Sequence, residues 1–306
     1  MRVVVVGLGS AGRRHAETLR SLGHDVRACR REPGDDDFGS LDDALAWRPD
    51  AVVIATPTAA HVDALRWAVE HGIAAYVEKP LAARSAGLPD LLARAESERV
   101  TVAVGYNLRF HPAVEAVEQA VREGLVGSLL TAEASAGSYL PDWHPDEDYR
   151  LSYASRRELG GGVLLTLSHE LDLVRALAGE IVEVVGLALR ASALELDVDD
   201  AAGVVARHDS GALSTVRVDY LDRAYNRRSR WVGELGTIAW EWGGDVRLEP
   251  GGKVLWSDPD FDVSATYRAA LDDFVDAVQC DRRPRVDGRD GLRIVEICEQ
   301  VGEART

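Results

Sequence analysis

Hydrophobic positions follow one pattern in the first 120 residues of this chain and a different pattern after them. In the first part, short apolar runs such as Val3–Val6 alternate with amphipathic segments. A continuous β-branched run is typical of a parallel strand that is covered on both faces. The predicted strands are Val3–Val6, Asp25–Cys29, Ala51–Ala55, Ile73–Val77 and Val100–Gly105. The helices predicted between them are Ser10–Leu22, a short one from Ser40, Thr58–His71 and Gly87–Glu98. This alternation predicts a doubly wound parallel sheet.

After a helix predicted at Pro112–Glu123, strand-like segments separated by short turns predominate, which predicts mainly antiparallel pairing. These strands are Thr131–Ser138, Val182–Leu189, Ala201–Arg207, Ala212–Tyr220, Arg230–Val232, Thr237–Glu241 and Val246–Leu248. The later helices are Val163–Ala178, Ser264–Cys280 and Gly288–Ala304. We therefore predict an α/β chain with a parallel-sheet domain over 1–120. An α+β domain with a large, open, mainly antiparallel sheet is predicted over 121–306, with the closing helices 264–304 near the domain junction.

Composition restricts the partners of the chain. Its 306 residues carry a formal net charge of −16, which disfavours nucleic acid and anionic membranes. No window approaches the roughly 20 apolar residues that cross a bilayer, and the apolar run at residues 3–6 is too short for a signal peptide. The cysteines Cys29, Cys280 and Cys298 are far apart. We therefore expect no disulfide, no metal site and a cytoplasmic location.

A GxGxxG motif stands directly between the first predicted strand and the first predicted helix. In this context its first glycine permits a tight turn, the second lets the backbone approach a pyrophosphate, and the third allows close packing of helix and strand. The helix N-terminus then provides N–H donors to the phosphates. The motif predicts a Rossmann dinucleotide site formed by Gly7, Gly9, Ser10, Ala11 and Gly12.

The end of the second strand indicates which dinucleotide binds. Arg30 and Arg31 follow Cys29, and a guanidinium suits the 2′-phosphate of NADP(H) through paired hydrogen bonds. Glu32 keeps NAD(H) open, because an acid at this strand end binds the ribose hydroxyl of NAD. A solvated loop is the third interpretation. We predict NADP(H), with NAD(H) as the alternative.

Lysine is rare in this chain. Lys79 and Lys253 are the two lysines among 35 basic residues, and the others are arginine. A guanidinium stays charged, whereas the pKa of a lysine can be lowered enough for proton transfer. Lys253 lies in a predicted exposed turn after two glycines. Lys79 follows a predicted strand, at the sheet edge where open α/β folds bind ligands, and is therefore the candidate for proton chemistry.

Several ordered motifs together resemble the glucose–fructose oxidoreductase / inositol dehydrogenase (Gfo/Idh/MocA) family. Besides the glycine motif, these motifs are Ala55-Thr56-Pro57 with His61, Val77-Glu78-Lys79-Pro80-Leu81, Gly105–Pro112, and Gly160-Gly161-Gly162 with His169-Glu170-Leu171-Asp172. The resemblance spans nearly the whole chain. It implies a Rossmann domain followed by a domain whose open sheet mediates assembly, as a homodimer or homotetramer.

The resemblance also implies roles for individual residues. Lys79 would hydrogen-bond the reacting oxygen and assist proton transfer, positioned by Glu78 and followed by a cis bond to Pro80. His169 would be the second acid/base, with a buried core histidine as the alternative interpretation. Thr56, Pro57 and His61 would border the cofactor on the nicotinamide side.

The sequence departs from the family at Thr166, where many members carry an aspartate. Within one helix, Thr166 and His169 would share a face, and the hydroxyl could still contact substrate without supporting an imidazolium. Asp172 is the candidate substitute, or it caps the helix or pairs with an arginine. Asn107 and Arg109 are predicted cleft residues, with a structural role as the alternative. Four other histidines are predicted at the surface or at helix ends, namely His15, His24, His71 and His208.

The segment 138–150 is a long loop that is rich in aromatic and hydrogen-bonding residues. Aromatic faces such as Trp143 suit the C–H surface of a sugar or cyclitol ring, and Arg150 suits a carboxylate or a diphosphate. The loop is similar to that of a family branch associated with unusual or amino sugars. An interdomain packing loop is the other interpretation.

These observations predict an NAD(P)-dependent oxidoreductase. It would transfer hydride between the nicotinamide and a secondary alcohol or ketone of a sugar, amino sugar, nucleotide sugar or cyclitol. Two alternatives remain. One is a glycosidase or epimerase of the same family that recycles its cofactor, and the other is a non-catalytic NADP-binding sensor.

Overall fold

The computed structural model describes residues 1–303, and the chain folds into two compact units. The first unit comprises residues 1–107 and 264–295, and the second comprises residues 108–263 and the chain from residue 296 onward. Residues 304–306, which include the predicted end of the last helix, lie outside the described residues. The predicted closing segment 264–295 thus groups with the first unit, and the predicted helix at 112–123 groups with the second.

The first unit is built on a five-stranded parallel sheet, as predicted. Its strands are β1 (Arg2–Val6), β2 (Asp25–Cys29), β3 (Ala51–Ile54), β4 (Ala74–Val77) and β5 (Val102–Val104). Their order in the sheet is β2-β1-β3-β4-β5, and each neighbouring pair is parallel. Val3–Val6 and Ala51–Ile54 are buried throughout, because both faces of the sheet are covered. The strand order reverses beside β1, and ligands bind at such a reversal in open α/β sheets.

Helices cover this sheet. They are α1 (Ser10–Ser21), α2 (Leu41–Ala44), α3 (His61–Glu70), α4 (Leu88–Ser97), α8 (Ser264–Gln279) and α9 (Gly288–Glu303), the last of which continues beyond the first unit. The helix α8 packs against α1 and β4. Leu271 and Phe274 of α8 are fully buried, and the Phe274 ring contacts the Tyr76 ring of β4 edge to face. These two residues therefore belong to the core of the first unit.

The second unit contains an eight-stranded sheet. Its strands are β6 (Leu129–Gly137), β7 (Ile181–Leu189), β8 (Ala201–His208), β9 (Leu213–Asp219), β10 (Asn226–Gly233), β11 (Thr237–Glu241), β12 (Val246–Glu249) and β13 (Lys253–Trp256). The order is β13-β12-β11-β10-β6-β9-β8-β7. Among these strands the central pair β6–β9 is parallel and the other pairs are antiparallel, so the prediction of a mainly antiparallel sheet is confirmed. The pattern missed β13, which is four residues long and begins directly after Gly251-Gly252; Lys253 is its exposed first residue.

The helices of the second unit include α5 (Pro112–Arg122), α6 (Val163–Thr166) and α7 (His169–Ala178). The prediction of one continuous helix over Val163–Ala178 was wrong. The chain leaves helical geometry at Leu167, where ψ is 36°, and α7 begins at His169. Thr166 and His169 are therefore not one turn apart on a common helix face, and each is placed by its own helix.

Two histidines contradict the prediction that they lie at the surface or at helix ends. His15 and His208 are both 0% exposed. The ring of His208 bonds the Gly179 carbonyl at 2.7 Å and the Ser214 hydroxyl at 2.8 Å. Such partners lie on other elements, so a local pattern could not indicate that these rings are buried. His71 is exposed, as predicted.

His111 connects α5 to the outer strands of the second sheet. Its Nδ1 accepts the backbone N–H of Ala113 at 3.1 Å and so caps α5. Its ring lies within 6 Å of the rings of Trp240, Trp242 and Trp256. Burial, assisted by the charge of Arg227, lowers the pKa of His111 to about 4. The imidazole is therefore neutral near pH 7 and packs as an aromatic ring with one polar acceptor.

The three cysteines are free thiols, and Cys29 and Cys298 are buried. In the part of the chain that the structure describes, no helix is both long enough and apolar enough to cross a membrane.

Candidate active site

The predicted cofactor residues of the first unit come together at one edge of its sheet. The glycine turn follows β1, Arg30 follows β2, Thr56-Pro57 follows β3, and Glu78-Lys79-Pro80 follows β4. Because these strands are parallel, their carboxyl ends share an edge, and that edge is the ligand-binding side of an open α/β sheet.

The glycine turn has the geometry that a pyrophosphate requires. Gly7 has φ +88°, a left-handed conformation that favours glycine. A Cβ on Gly12 would overlap the carbonyl oxygen of Gly7, whereas a Cβ on Gly9 would meet open space. No side chain caps the first turn of α1, so the N–H groups of Ser10 and Ala11 are available to a bound anion. These residues fit the phosphates of a dinucleotide.

The two arginines after β2 differ in their surroundings. Arg30 donates from Nε to Asp37 at 2.6 Å. Burial opposes ionisation of Asp37, but hydrogen bonds from the Gly34 N–H and from Arg30 outweigh it and hold the pKa of that carboxyl below its usual value. Arg31 and Glu32 are exposed, and Arg31 makes no ion pair with any residue from 1 to 303.

His61 joins the loop after β3 to the loop after β4. It lies at the start of α3 and is 1% exposed. Its Nε2 bonds the carbonyl of Thr56 at 2.9 Å, and its Nδ1 bonds the carbonyl of Pro80 at 3.0 Å. Burial lowers the pKa of His61, although the two carbonyl bonds oppose that shift. The hydroxyl of Thr56 is buried and has no hydrogen-bond partner within residues 1–303, which suits a group waiting for a ligand.

Glu78 and Lys79 follow β4, and the Lys79–Pro80 peptide bond is cis, as predicted. One carboxylate oxygen of Glu78 lies 2.5 Å from Nε2 of His15, and the other accepts the backbone N–H of Lys79 at 3.2 Å. Burial favours the neutral acid, but the hydrogen bond and charge of His15, together with Lys79, outweigh it and lower the pKa of Glu78. Glu78 is therefore a carboxylate near pH 7. The sequence interpretation missed His15 because 63 residues separate it from Glu78.

The predicted residues of the second unit gather around the start of α7. His169 is 7% exposed and Asp172 is 1% exposed. Nε of Arg109 lies 3.4 Å from a carboxylate oxygen of Asp172. Pairing with an arginine, one of the three roles considered for Asp172, is therefore present in the structure.

A second buried ion pair adjoins His169, and the sequence did not indicate it. Nε of Arg227, on β10, donates to Glu170 at 2.7 Å, and Nη1 of Arg227 donates to the Tyr225 hydroxyl at 2.9 Å. Glu170 is 1% exposed. The only signal in the sequence was that an acid stands beside His169 on a helix whose neighbouring positions are apolar. The pair anchors the first turn of α7 to the sheet.

Tyr220, directly after β9, packs against one predicted substrate residue. Its hydroxyl donates to the Ala154 carbonyl at 3.3 Å, and its ring meets the Trp143 ring edge to face at 5.4 Å. The indole N–H of Trp143 donates to the Ser138 hydroxyl at 2.9 Å. These contacts order the predicted substrate loop. The sequence pattern had indicated Tyr220 only as a strand residue.

Two further predicted substrate residues have partners of their own. Arg150 is exposed and binds both oxygens of Asp148, with Glu195 at 3.5 Å. Asn107, in the first unit, is buried and donates to the Thr266 hydroxyl at 2.6 Å. Within residues 1–303, His, Cys, Asp and Glu side chains form no group of three that could hold a metal ion.

The glycine turn, the parallel sheet and the Glu-Lys-Pro turn define the class of protein, and comparison with known families gives the family. Residues 1–106 match the oxidoreductase family with an NAD-binding Rossmann fold, and residues 114–239 match the GFO/IDH/MocA C-terminal domain. The chain belongs to the GFO/IDH/MocA family of oxidoreductases, and its N-terminal domain is an NAD-binding Rossmann domain.

Individual relatives are distant. The UDP-N-acetylglucosamine 3-dehydrogenase of Acidithiobacillus ferrooxidans is 26% identical over 98% of this chain and 96% of its own length. The 2,7-anhydro-N-acetylneuraminate hydratase of Escherichia coli is 29% identical, but the match spans only 44% of this chain and 35% of that protein. Among solved structures, a levoglucosan dehydrogenase in complex with NADH and levoglucosan has a TM-score of 0.89 at 18% identity, covering 99% of this chain and 96% of that one. This likeness of structure confirms the fold.

Proposed function

We propose that this protein is an NAD(P)-dependent sugar oxidoreductase. It transfers hydride between the nicotinamide and a secondary alcohol or ketone of a sugar, amino sugar, nucleotide sugar or cyclitol. The observation that carries this proposal is the position of Lys79, which follows β4 at the same sheet edge as the open glycine turn. Family membership supports it.

Each part of the reaction is assigned to a different residue of the chain. A bound nicotinamide supplies the hydride acceptor or donor. Lys79 exchanges the proton of the carbinol oxygen, and Glu78 holds the lysine backbone through its 3.2 Å hydrogen bond. His169 is the second acid/base in this proposal, and the Asp172–Arg109 pair fixes its helix. Thr166 carries no charge, so we assign the larger share of proton transfer to Lys79.

The substrate class rests on the loop after β6 and on the relatives. The rings of Trp143 and Tyr220 pack against each other, and aromatic faces with neighbouring hydroxyl groups suit a sugar ring. Arg109, Asn107 and Arg150 are proposed to contribute polar contacts. Relatives named for levoglucosan, D-apiose and UDP-N-acetylglucosamine all act on sugars or nucleotide sugars.

Turnover against a panel of sugars, cyclitols and nucleotide sugars, with NADP⁺ and NAD⁺ in parallel, tests this function. Absorbance at the nicotinamide band should rise with at least one substrate of these classes. A protein that binds neither dinucleotide would contradict the proposal.

A cofactor-recycling activity is the second candidate, and the similarity to a hydratase favours it. Such an enzyme oxidises its substrate transiently and returns the hydride. Substrate would then be consumed with no net change in nicotinamide absorbance, which chromatography of the reaction mixture would reveal.

We further propose that NADP(H) is preferred, because Arg31 is an exposed cation after β2 that pairs with no acid among residues 1–303. Arg31→Ala should weaken NADPH binding by about tenfold, since one charge-assisted contact contributes about 1.4 kcal/mol or more. Binding of NADH should not change. Fluorescence titration with both dinucleotides measures the two constants. If NADH binds more tightly than NADPH to the unmodified protein, the preference is refuted.

We propose that the open face of the second sheet pairs with a second copy of the chain, giving a homodimer or homotetramer. The face combines exposed apolar residues at β7 and β8, such as Val185, Leu187 and Val205, with both signs of charge on β10 and β12. A patch of this composition suits self-complementary pairing. Leu187→Arg should lower the mass measured by light scattering to that of a smaller assembly. Leu235→Arg, at the exposed turn between β10 and β11, should not.

A cytoplasmic location is part of the same proposal. The three cysteines are free thiols, and free thiols are usual in a reducing compartment.

A further inference from the structure

His15 occupies an unusual place for a polar residue. It lies on α1, the helix that begins at the glycine turn, and it is 0% exposed. Its Nε2 lies 2.5 Å from one oxygen of Glu78, while the other oxygen of Glu78 accepts the Lys79 N–H. A single carboxylate thus joins the helix of the dinucleotide turn to the lysine of the Glu-Lys-Pro turn.

The His15 ring forms its hydrogen bond with Glu78 and otherwise packs against aromatic rings. The imidazole meets the Tyr76 ring of β4 at 5.4 Å and the Tyr267 ring of α8 at 6.3 Å, both edge to face. Arg14 lies 4.1 Å above the Tyr267 ring. The charged and titratable groups facing this site are therefore Glu78, Arg14 and the two phenols, with Lys79 acting through Glu78.

The second ring nitrogen of His15, Nδ1, indicates which nitrogen carries the proton that is donated to Glu78. Nδ1 of His15 is buried and has no hydrogen-bond partner within residues 1–303. A proton on Nε2 is donated to Glu78, whereas a proton on Nδ1 would be left without an acceptor. A proton on Nε2 therefore satisfies the site, and His15 acts as a donor to the carboxylate.

The Glu78 carboxylate needs the N–H donor of His15. The Glu78 side chain is only 14% exposed, and burial by itself favours the protonated acid. Lys79 interacts electrostatically with Glu78 and lowers the pKa of that carboxyl. Because interaction between two charges is reciprocal, Glu78 and Lys79 each favour the charged form of the other.

We propose that His15 is a positioning residue of the proton-transferring lysine, holding the Glu78 carboxylate in the orientation in which it supports Lys79. The inference rests on the proposed role of Lys79 and adds a residue outside the catalytic and cofactor-binding sets. The Glu78 carboxylate thereby connects α1, which begins at the glycine turn, to Lys79.

The near absence of other lysines makes a direct test available. Since the chain holds only Lys79 and Lys253, an amine-reactive reagent followed by peptide mass spectrometry reports the titration of Lys79, with exposed Lys253 as the internal reference. The measurement needs no substrate. A protein that turned over no sugar would contradict the proposed function and still give the labelling result.

Removing the donor should change Lys79 alone. In His15→Leu, Glu78 loses its donor, and the pKa of Lys79 should fall by about one unit, giving about tenfold faster labelling at a fixed pH below it. The reactivity of Lys253 should not change. His15→Gln retains an amide N–H at a similar reach and should keep the original profile. The kcat of His15→Leu should fall by between about tenfold and a hundredfold, because a misplaced catalytic group costs that much.

Three results would overturn the inference. The first is an unchanged Lys79 profile in a folded His15→Leu protein, and the second is the same shift in His15→Gln as in His15→Leu. The third is additive shifts in the His15→Leu/Glu78→Gln double variant, since a residue acting through Glu78 should add nothing once Glu78 is neutral. Thermal melting checks folding, and His15→Asn, with a shorter amide, replaces His15→Leu if the latter does not fold.

Discussion

Lys79→Met should lower kcat by roughly 10²–10⁴-fold, the range that a positioned acid/base contributes. The thioether side chain retains much of the length and the apolar stem of lysine but cannot carry a proton. Lys79→Arg should be nearly as inactive, because a guanidinium keeps the charge and does not release its proton near neutral pH. Steady-state kinetics with the best substrate of the panel measures both effects.

Lys253→Met is the matched control, because it makes the same substitution at an exposed lysine at the start of β13. Its kcat should equal that of the unmodified protein. Dinucleotide binding to Lys79→Met, followed by fluorescence, separates lost chemistry from lost folding. Turnover within a few-fold of the unmodified protein would refute the assignment of Lys79. A protein that binds NADPH and turns over nothing, before and after the substitution, would be a sensor.

Arg227→Met should lower the free energy of unfolding by about 3–5 kcal/mol, the usual cost of leaving one partner of a buried ion pair without the other. Glu170 is 1% exposed and would lose its donor, which is 2.7 Å away in the unmodified protein. The first turn of α7 would lose its anchor to β10, so kcat should fall as well if His169 takes part in proton transfer. Urea unfolding followed by tryptophan fluorescence measures the stability.

Arg94→Met is the matched control, at an ion pair on α4. Arg94 pairs with Glu98 at 2.7 Å, but both side chains are more than two-fifths exposed. An exposed pair of this kind contributes about 1 kcal/mol or less. The double variant Glu170→Leu/Arg227→Met should recover most of the stability, because it removes both charges. Equal losses in Arg227→Met and Arg94→Met would contradict the distinction between the two pairs.

Features that depend on local periodicity were predicted correctly. The five parallel strands, the glycine turn and the helices that flank them follow from apolar runs and from glycine and proline positions. Seven of the eight strands of the second sheet were found in the same way, because in a strand such as β8 every second residue is buried. The family resemblance added the cis Lys79–Pro80 bond, which no periodicity indicates.

Features that depend on contacts between distant segments were not predicted. The break between α6 and α7 separates Thr166 from His169, although the apolar pattern runs through it. His15 and His208 were placed at the surface because their partners, Glu78 and Ser214, lie on other elements. The sequence also did not predict that β6 pairs with β9 in parallel. The residue pattern within one strand carries no information about which strand lies next to it.

The sequence by itself determined most of the elements, the two sheet types and the glycine turn, and it singled out Lys79 as the candidate for proton transfer. These follow from properties that a residue carries along the chain, namely hydrophobicity, conformational freedom and an accessible pKa. The tertiary structure alone decided the partners: Glu78 for His15, Arg227 for Glu170 and Arg109 for Asp172. A buried charge or imidazole is stable only with a partner, and only the folded chain brings residues 57 or 63 positions apart to within hydrogen-bond distance.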